Sequence, residues 1–283
     1  MAALYAFARI TDDLGDSNTS NDDKRDRLFR WQSNVHEFVG AGRRCEAAEG
    51  NGAHTMLWPA LADTVQRFQI PAQLLDDIVK GVQMDVGPVS ITDWPQLNDY
   101  CYHVASAVGL ACTCIWQSRP ALPSQAAIDC GIAFQLTNIL RDVREDALQG
   151  RIYIPICELE RFGCDRATWL SGKPNGDWAG CINSVACRAS ELYLSGWQTA
   201  LFLHADGRRM FSLIWRTYRQ LLNRVVCSTH TLWSGSRITV PKATQFKLAI
   251  SHFVPWWYQI LPAPVPVFAP PGTEVIRGRF TSQ

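Results

Sequence analysis

Three observations predict an all-α protein. Apolar residues recur at helical spacing through most of the 283 residues, with no clear strand alternation and no internal repeat. Two stretches, near the start and near the middle, each set a stripe of acids and other polar groups beside an apolar stripe. Helix-stopping signals, such as Gly150 and the Asp206-Gly207 pair, fall where the periodic segments end.

The first of these stretches is AALYAFARITDDLGD, residues 2–16. On a helix, Tyr5, Arg9, Asp12 and Asp16 fall within about 60°, with Ala3, Ala6, Phe7, Ile10 and Leu14 on the adjacent side. Taken singly, such a helix is also explained by Arg9 pairing with Asp12 or Asp13. SNTSNDD, residues 17–23, reads as a loop. A helical pattern then runs through Phe38, followed by a Gly/Ala/Glu-rich connection from Gly40 to Gly52. Residues 54–69 and 71–86 predict two further helices, with Pro59 and Pro71 near their first turns. Asp85 ends the second of them and is open to a role as an ordinary terminal surface acid. Residues 96–117 predict an apolar helix of small residues, with Tyr100, Val104, Val108 and Ala111 on one face. That face serves either close helix packing or the wall of a slot for a hydrocarbon chain. His103 has no partner at metal-ligand spacing and reads as structural.

The second acidic stretch is QLTNILRDVREDALQGRIYIP, residues 135–155. Gln135, Asn138, Asp142 and Asp146 fall within an arc of about 80° on a helix, beside Ile132, Ala133, Leu136, Ile139, Leu140 and Val143. Acids four apart repel when both are ionised, so a cation must offset them. A lone pair of this kind is more simply read as a solvated face served by Arg141, Arg144 and Arg151, a reading that Asn138 and Gln135 on the same arc weaken. Two pairs on facing helices favour divalent cations, and several cations imply a polyanionic substrate such as a diphosphate. Long helices are predicted over 181–204 and 207–226. Tyr218, on the second, has a hydroxyl that can reach a diphosphate or sit at the rim of a core. A basic, less regular piece leads to FVPWWYQI, which suits core cover or contact with a membrane surface. A Pro-rich end, residues 262–283, is expected to be disordered, leaving one domain over 1–261.

Composition narrows the function further. With 47% hydrophobic residues, 11 Trp and 12 Phe, the chain can build a sizeable core with apolar walls. A net charge of +1 and no basic block argue against nucleic acid. Ten cysteines without a paired C-x-x-C framework read as reduced thiols of a cytoplasmic protein. No run of 18 apolar residues predicts a membrane span. The opening MAALYAFARITDD is too short and too soon charged for a signal peptide.

YAFARITDDLGD, GVQMD followed by YCYHVASAVGL, and QLTNILRDVREDALQGRIYIP, in that order, resemble the motifs of the squalene/phytoene synthase family. The resemblance spans roughly residues 4 to 250. It implies an isoprenoid-synthase-type helical bundle around a central cavity flanked by two aspartate-rich helices. It also implies a prenyltransferase that joins two prenyl diphosphates head to head with Mg²⁺, or with Mn²⁺ in its place. By position, Asp12, Asp16, Asp142 and Asp146 would hold metal-bound diphosphates. Tyr5, Arg9 and Tyr218 would contact diphosphate, Asp85, Gln135 and Asn138 would be polar cavity positions, and Val104 and Val108 would line the hydrocarbon slot.

Two farnesyl diphosphates going to presqualene diphosphate or squalene, on a squalene or hopanoid route, is the leading expectation. Two geranylgeranyl diphosphates going to phytoene, for carotenoids, is the alternative, and a non-catalytic assembly or lipid-binding scaffold is a third. No dinucleotide fingerprint is visible, so NADPH is not indicated; with no C-terminal anchor, this points to a bacterial-type enzyme. The expected setting is cytoplasmic, with peripheral membrane contact and downstream isoprenoid enzymes as candidate neighbours. Only four residues precede Tyr5, where the family normally carries a further helix. The cavity is therefore expected to be more open to water and the chain to be a weak enzyme.

Overall fold

A computed structural model of the chain describes residues 1–40, 56–116, 124–235 and 237–241. The connection over 41–52, the stretch FVPWWYQI and the Pro-rich end lie outside the described residues. Within them the protein is helical, as its periodicity requires.

Helices α1 (Ala2–Asp16) and α2 (Asn21–Val35) pack through one buried polar contact. The Trp31 indole donates to Thr11 Oγ1 at 2.8 Å, and Thr11 in turn donates to the Phe7 carbonyl at 2.8 Å. Both buried polar groups are thereby satisfied, and α1 is fixed in rotation about its axis. Ser20 caps α2 by accepting from the Asp23 N–H at 3.2 Å, with Asp22 and Asp23 in the first turn where the helix dipole favours acids. α3 (Leu57–Phe68) has Pro59 as its third residue, and Pro71 directly precedes α4 (Ala72–Met84). Trp31 and Trp58 meet with ring centroids 4.6 Å apart, at the centre of a core formed mainly by these four helices.

The single helix expected over 96–117 is interrupted. α5 (Trp94–Cys101) passes through a π-helical turn, Tyr102–Ser106, into α6 (Ala107–Ile115). At that turn Gly81 of α4 lies so close that a Cβ would sit 2.8 Å from the His103 carbonyl carbon. His103 is buried, with Nδ1 3.6 Å from Asp77 and Nε2 3.6 Å from Asp99, in keeping with a structural role.

α7 (Ser124–Leu148) runs through the middle of the second half and ends near Gly150, whose φ of +78° suits a glycine. After it, the chain forms a short parallel clasp with the segment that follows α4. Ile152 donates to the Val89 carbonyl at 2.8 Å, and its carbonyl accepts from Ile91 at 3.0 Å. This one bridge brings residues 85 and 153 together from far apart in sequence.

Two short helices, α8 (Ile156–Arg161) and α9 (Arg166–Leu170), were not visible in the periodicity. The helix expected over 181–204 is two: α10 (Trp178–Gly196) and α11 (Thr199–Phe202). α12 (Ala205–Cys227) follows and gives way to a 3-10 turn, Thr229–Ser234. α5 and α7–α12 build a second core. α6 stands between the two, giving Ala107 and Ala111 to the core of α1–α4. The nine cysteines among the described residues are free thiols.

Candidate active site

Five carboxylates from three elements converge at one end of the bundle. α1 carries Asp12 and Asp16, the C-terminal half of α7 carries Asp142 and Asp146, and Asp85 caps the end of α4 between them. Their mutual influence shows how closely they gather. Asp146 is pushed up to about 7, first by burial, then by Asp142, with Asp85 adding to the effect. Asp12 is pushed up to about 6, first by loss of solvation, then by Asp16, and again in part by Asp85. Asp85 itself is raised by burial and is sensitive to Asp16. Asp85 is therefore not a solvated helix-terminal acid; it is the joint between the two acidic helices.

The joint is held by phenols. Tyr153 donates to Asp85 Oδ1 at 2.7 Å and Tyr100 to Oδ2 at 3.0 Å, with the two rings stacked 4.9 Å apart. Burial, followed by the Asp85 charge, raises both phenols well above their usual range, so they stay protonated donors. Cationic side chains surround the acids. Arg141 forms an ion pair with its neighbour Asp142, and Arg237 Nε stands 3.8 Å from the same carboxylate. Arg151 donates to the Asp85 carbonyl at 3.5 Å and lowers the acidity barrier of Asp146 by its charge. Arg9 pairs with Asp13 at 2.8 Å, while its charge also reaches Asp12. Tyr5, one turn before Arg9 on α1, is exposed.

Asn138 lies one turn before Asp142. Its amide donates to Gln135 Oε1 at 3.3 Å, but its own Oδ1 is buried with no hydrogen-bond partner. A buried acceptor left without a donor, beside crowded acids, fits a cation and its water shell. Among the described residues no three side chains form a complete metal cage. Mg²⁺ is ordinarily held by one or two carboxylates plus phosphate oxygens and water, and the acid pairs on α1 and α7 could supply the carboxylates of such a set.

Behind the acids runs an apolar slot of about 180 Å³. Val108, Gly109 and Cys112 of α6 form one wall, Cys130, Gly131 and Phe134 of α7 the other, and Phe211 and Ile214 of α12 close it. Phe134 meets Tyr218 in a tilted ring contact with centroids 4.6 Å apart, which sets Tyr218 at the acid end of the slot. Val108 lines the slot and also packs against the core of α1–α4. Val104, within the π-helical turn Tyr102–Ser106, packs against the core of α5 and α7–α12.

A sequence profile described as squalene/phytoene synthase matches residues 1–244. The chain belongs to the squalene/phytoene synthase family. Among its relatives, phytoene synthase 3 of Zea mays is 33% identical over 246 residues, covering 85% of this chain and 55% of that protein. The phytoene synthase of Arthrospira platensis is 32% identical, covering 79% of this chain and 73% of the relative. The chain thus spans little more than half the length of the maize relative. A crystal structure of a dehydrosqualene synthase superposes with a TM-score of 0.74 at 27% identity, over 88% of this chain and 83% of that one. A squalene synthase from Alicyclobacillus acidocaldarius, at 21% identity, shares the fold with a TM-score of 0.69. The all-α, squalene-synthase-like fold expected from the motifs is the one observed.

For a squalene/phytoene synthase family member, the acidic motifs alone understate the polar site. Tyr100, Tyr153 and Arg237 were not expected there. Tyr153 lies within the motif RIYIP, but only the clasp at Ile152 shows which carboxylate its hydroxyl meets. No candidate membrane-spanning helix occurs among the described residues.

Proposed function

We propose that this protein joins two prenyl diphosphates head to head. The carrying observation is the set of five crowded carboxylates, from three elements, at the mouth of an apolar slot. Mg²⁺, with Mn²⁺ as its alternative, would be held by Asp12 and Asp16 on one side and by Asp142 and Asp146 on the other. Such ions supply neutralising charge for a departing diphosphate.

The chain's own groups do the rest. Arg9, Arg141, Arg237, Tyr5 and Tyr218 orient the diphosphate oxygens, and Gln135 and Asn138 place neutral oxygens beside them. Cleavage of the C1–O bond sends its electron pair to the diphosphate and leaves an allylic cation. The second double bond attacks that cation and a proton is lost, giving a cyclopropylcarbinyl diphosphate. Val108, Phe134 and the slot walls keep water from the cation. Asp85 holds Tyr100 and Tyr153 fixed and neutral at the border between the polar and apolar regions.

Farnesyl diphosphate is the first substrate reading, supported by the dehydrosqualene synthase that matches most of both chains. Geranylgeranyl diphosphate is the second, supported by relatives named phytoene synthase. The test incubates purified protein and Mg²⁺ with each diphosphate and reads product mass. One of the two is expected to give a cyclopropyl diphosphate or its hydrocarbon. Release of no diphosphate from either, with Mg²⁺ or Mn²⁺, would overturn the reading and favour a scaffold that binds without turnover.

A further inference from the structure

We infer that Trp116 is the floor of the hydrocarbon slot, and that Trp116 and Gly109 together set the length of prenyl chain accepted. The inference rests on the prenyl diphosphate reading and makes its length selection specific to named residues. The slot has a direction. α7 presents Asn138 at the acid end and Ala127, a lining residue, deep inside; eleven residues at about 1.5 Å each separate them by about 16 Å. α12 runs the same way, from Tyr218 at the acid end through Ile214 and Phe211 inward. Trp116 follows the last residue of α6 and is the deepest slot residue on that wall.

Trp116 is seated rather than free to swing aside. It abuts Gly207 at the start of α12, where a Cβ would lie 2.4 Å from Trp116 Cβ and 3.0 Å from its carbonyl oxygen. Any side chain at 207 would push Trp116 off that seat. Gly109 stands two turns before Trp116 on the same wall, and a Cβ there would meet nothing within 4 Å. The space a side chain would fill at 109 is therefore part of the slot. One residue closes the far end by its bulk, and the other opens the side by having none.

The test pairs Trp116→Ala with Gly109→Leu and compares kcat/KM for farnesyl and geranylgeranyl diphosphate with the parent. Binding of the geranyl, farnesyl and geranylgeranyl thiolodiphosphates is measured alongside by calorimetry. Trp116→Ala should raise the preference for the longer chain, and Gly109→Leu should lower it, each by about tenfold or more for a five-carbon difference. Unchanged preference in variants with the parent's helical content and Tm would overturn the assignment. Should Trp116→Ala fail to fold, Gly109→Leu decides alone. A parent that binds the analogues but turns over neither substrate would overturn the condensation reading, while the binding ratios still judge the floor. Binding of no analogue would overturn both.

Discussion

Tyr153 reaches Asp85 with a 2.7 Å hydrogen bond, across 68 positions of sequence, because the chain after α7 clasps the chain after α4. That contact ties the second acidic helix to the carboxylate that both acid pairs feel. Tyr153→Phe should destabilise the protein by about 2 kcal/mol, since a buried carboxylate loses one of its two phenolic donors. The same change should raise Asp85 further, because this hydrogen bond lowers it. Urea unfolding at pH 8 measures the first effect; unaltered stability would mean that Tyr100 alone satisfies the acid.

The crowded acids predict a stability that falls as pH rises. Asp12 at about 6 and Asp146 at about 7 lie above the ordinary carboxylate value, so the folded protein holds protons that the unfolded chain has released. Their contribution is fully present below about pH 4 and is lost as pH climbs through 6 and 7. Tm measured without divalent ions should therefore show a decline from these groups between pH 5 and 8. Mg²⁺ with inorganic diphosphate should raise Tm more at pH 8 than at pH 5. An equal rise at both would show that these acids do not take up the cation.

Asp142→Asn should cut kcat/KM by about a hundredfold or more, the equivalent of roughly 3 kcal/mol of lost leaving-group stabilisation. The fold should survive, because removing this charge relieves Asp146, which Asp142 pushes upward. Circular dichroism and Mg²⁺-dependent diphosphate release distinguish the two effects. Activity within threefold of the parent would remove Asp142 from the site.

Gly131→Ala tests the seam between α6 and α7. An added Cβ would lie 2.5 Å from the Ser106 Cα, and backbone at that distance cannot swing away. A loss of about 1–3 kcal/mol is expected from overpacking, read as a lower Tm. A Tm equal to the parent's would mean that the helices separate freely here, and the slot wall would be softer than described.

What the sequence revealed, and what it did not, has physical causes. The acid stripes on α1 and α7 follow from a period of 3.6 residues, and Gly150 marks the end of the second by its conformation. Asp85 was open to dismissal as a surface acid because its partners, Tyr100 and Tyr153, come from segments that only tertiary hydrogen bonding unites. The π-helical turn at Tyr102–Ser106 was hidden within the single helix read over 96–117, because one extra residue in a turn leaves no mark on the apolar spacing. Trp116 gives no local signal, and the Asp206-Gly207 pair signals only a break between helices; their joint meaning lies in the contact between two helix ends.

The two acid pairs are anchored in different cores. Asp12 and Asp16 ride on a helix buried with α2–α4, whereas Asp142 and Asp146 ride on one buried with α5 and α8–α12. Their separation is thus a matter of alignment between two bodies of packed side chains. A lesion deep in either body, far from any carboxylate, can spoil the register of the pairs while leaving both helices folded. Damage to this protein should accordingly be felt as misregistration before it is felt as melting.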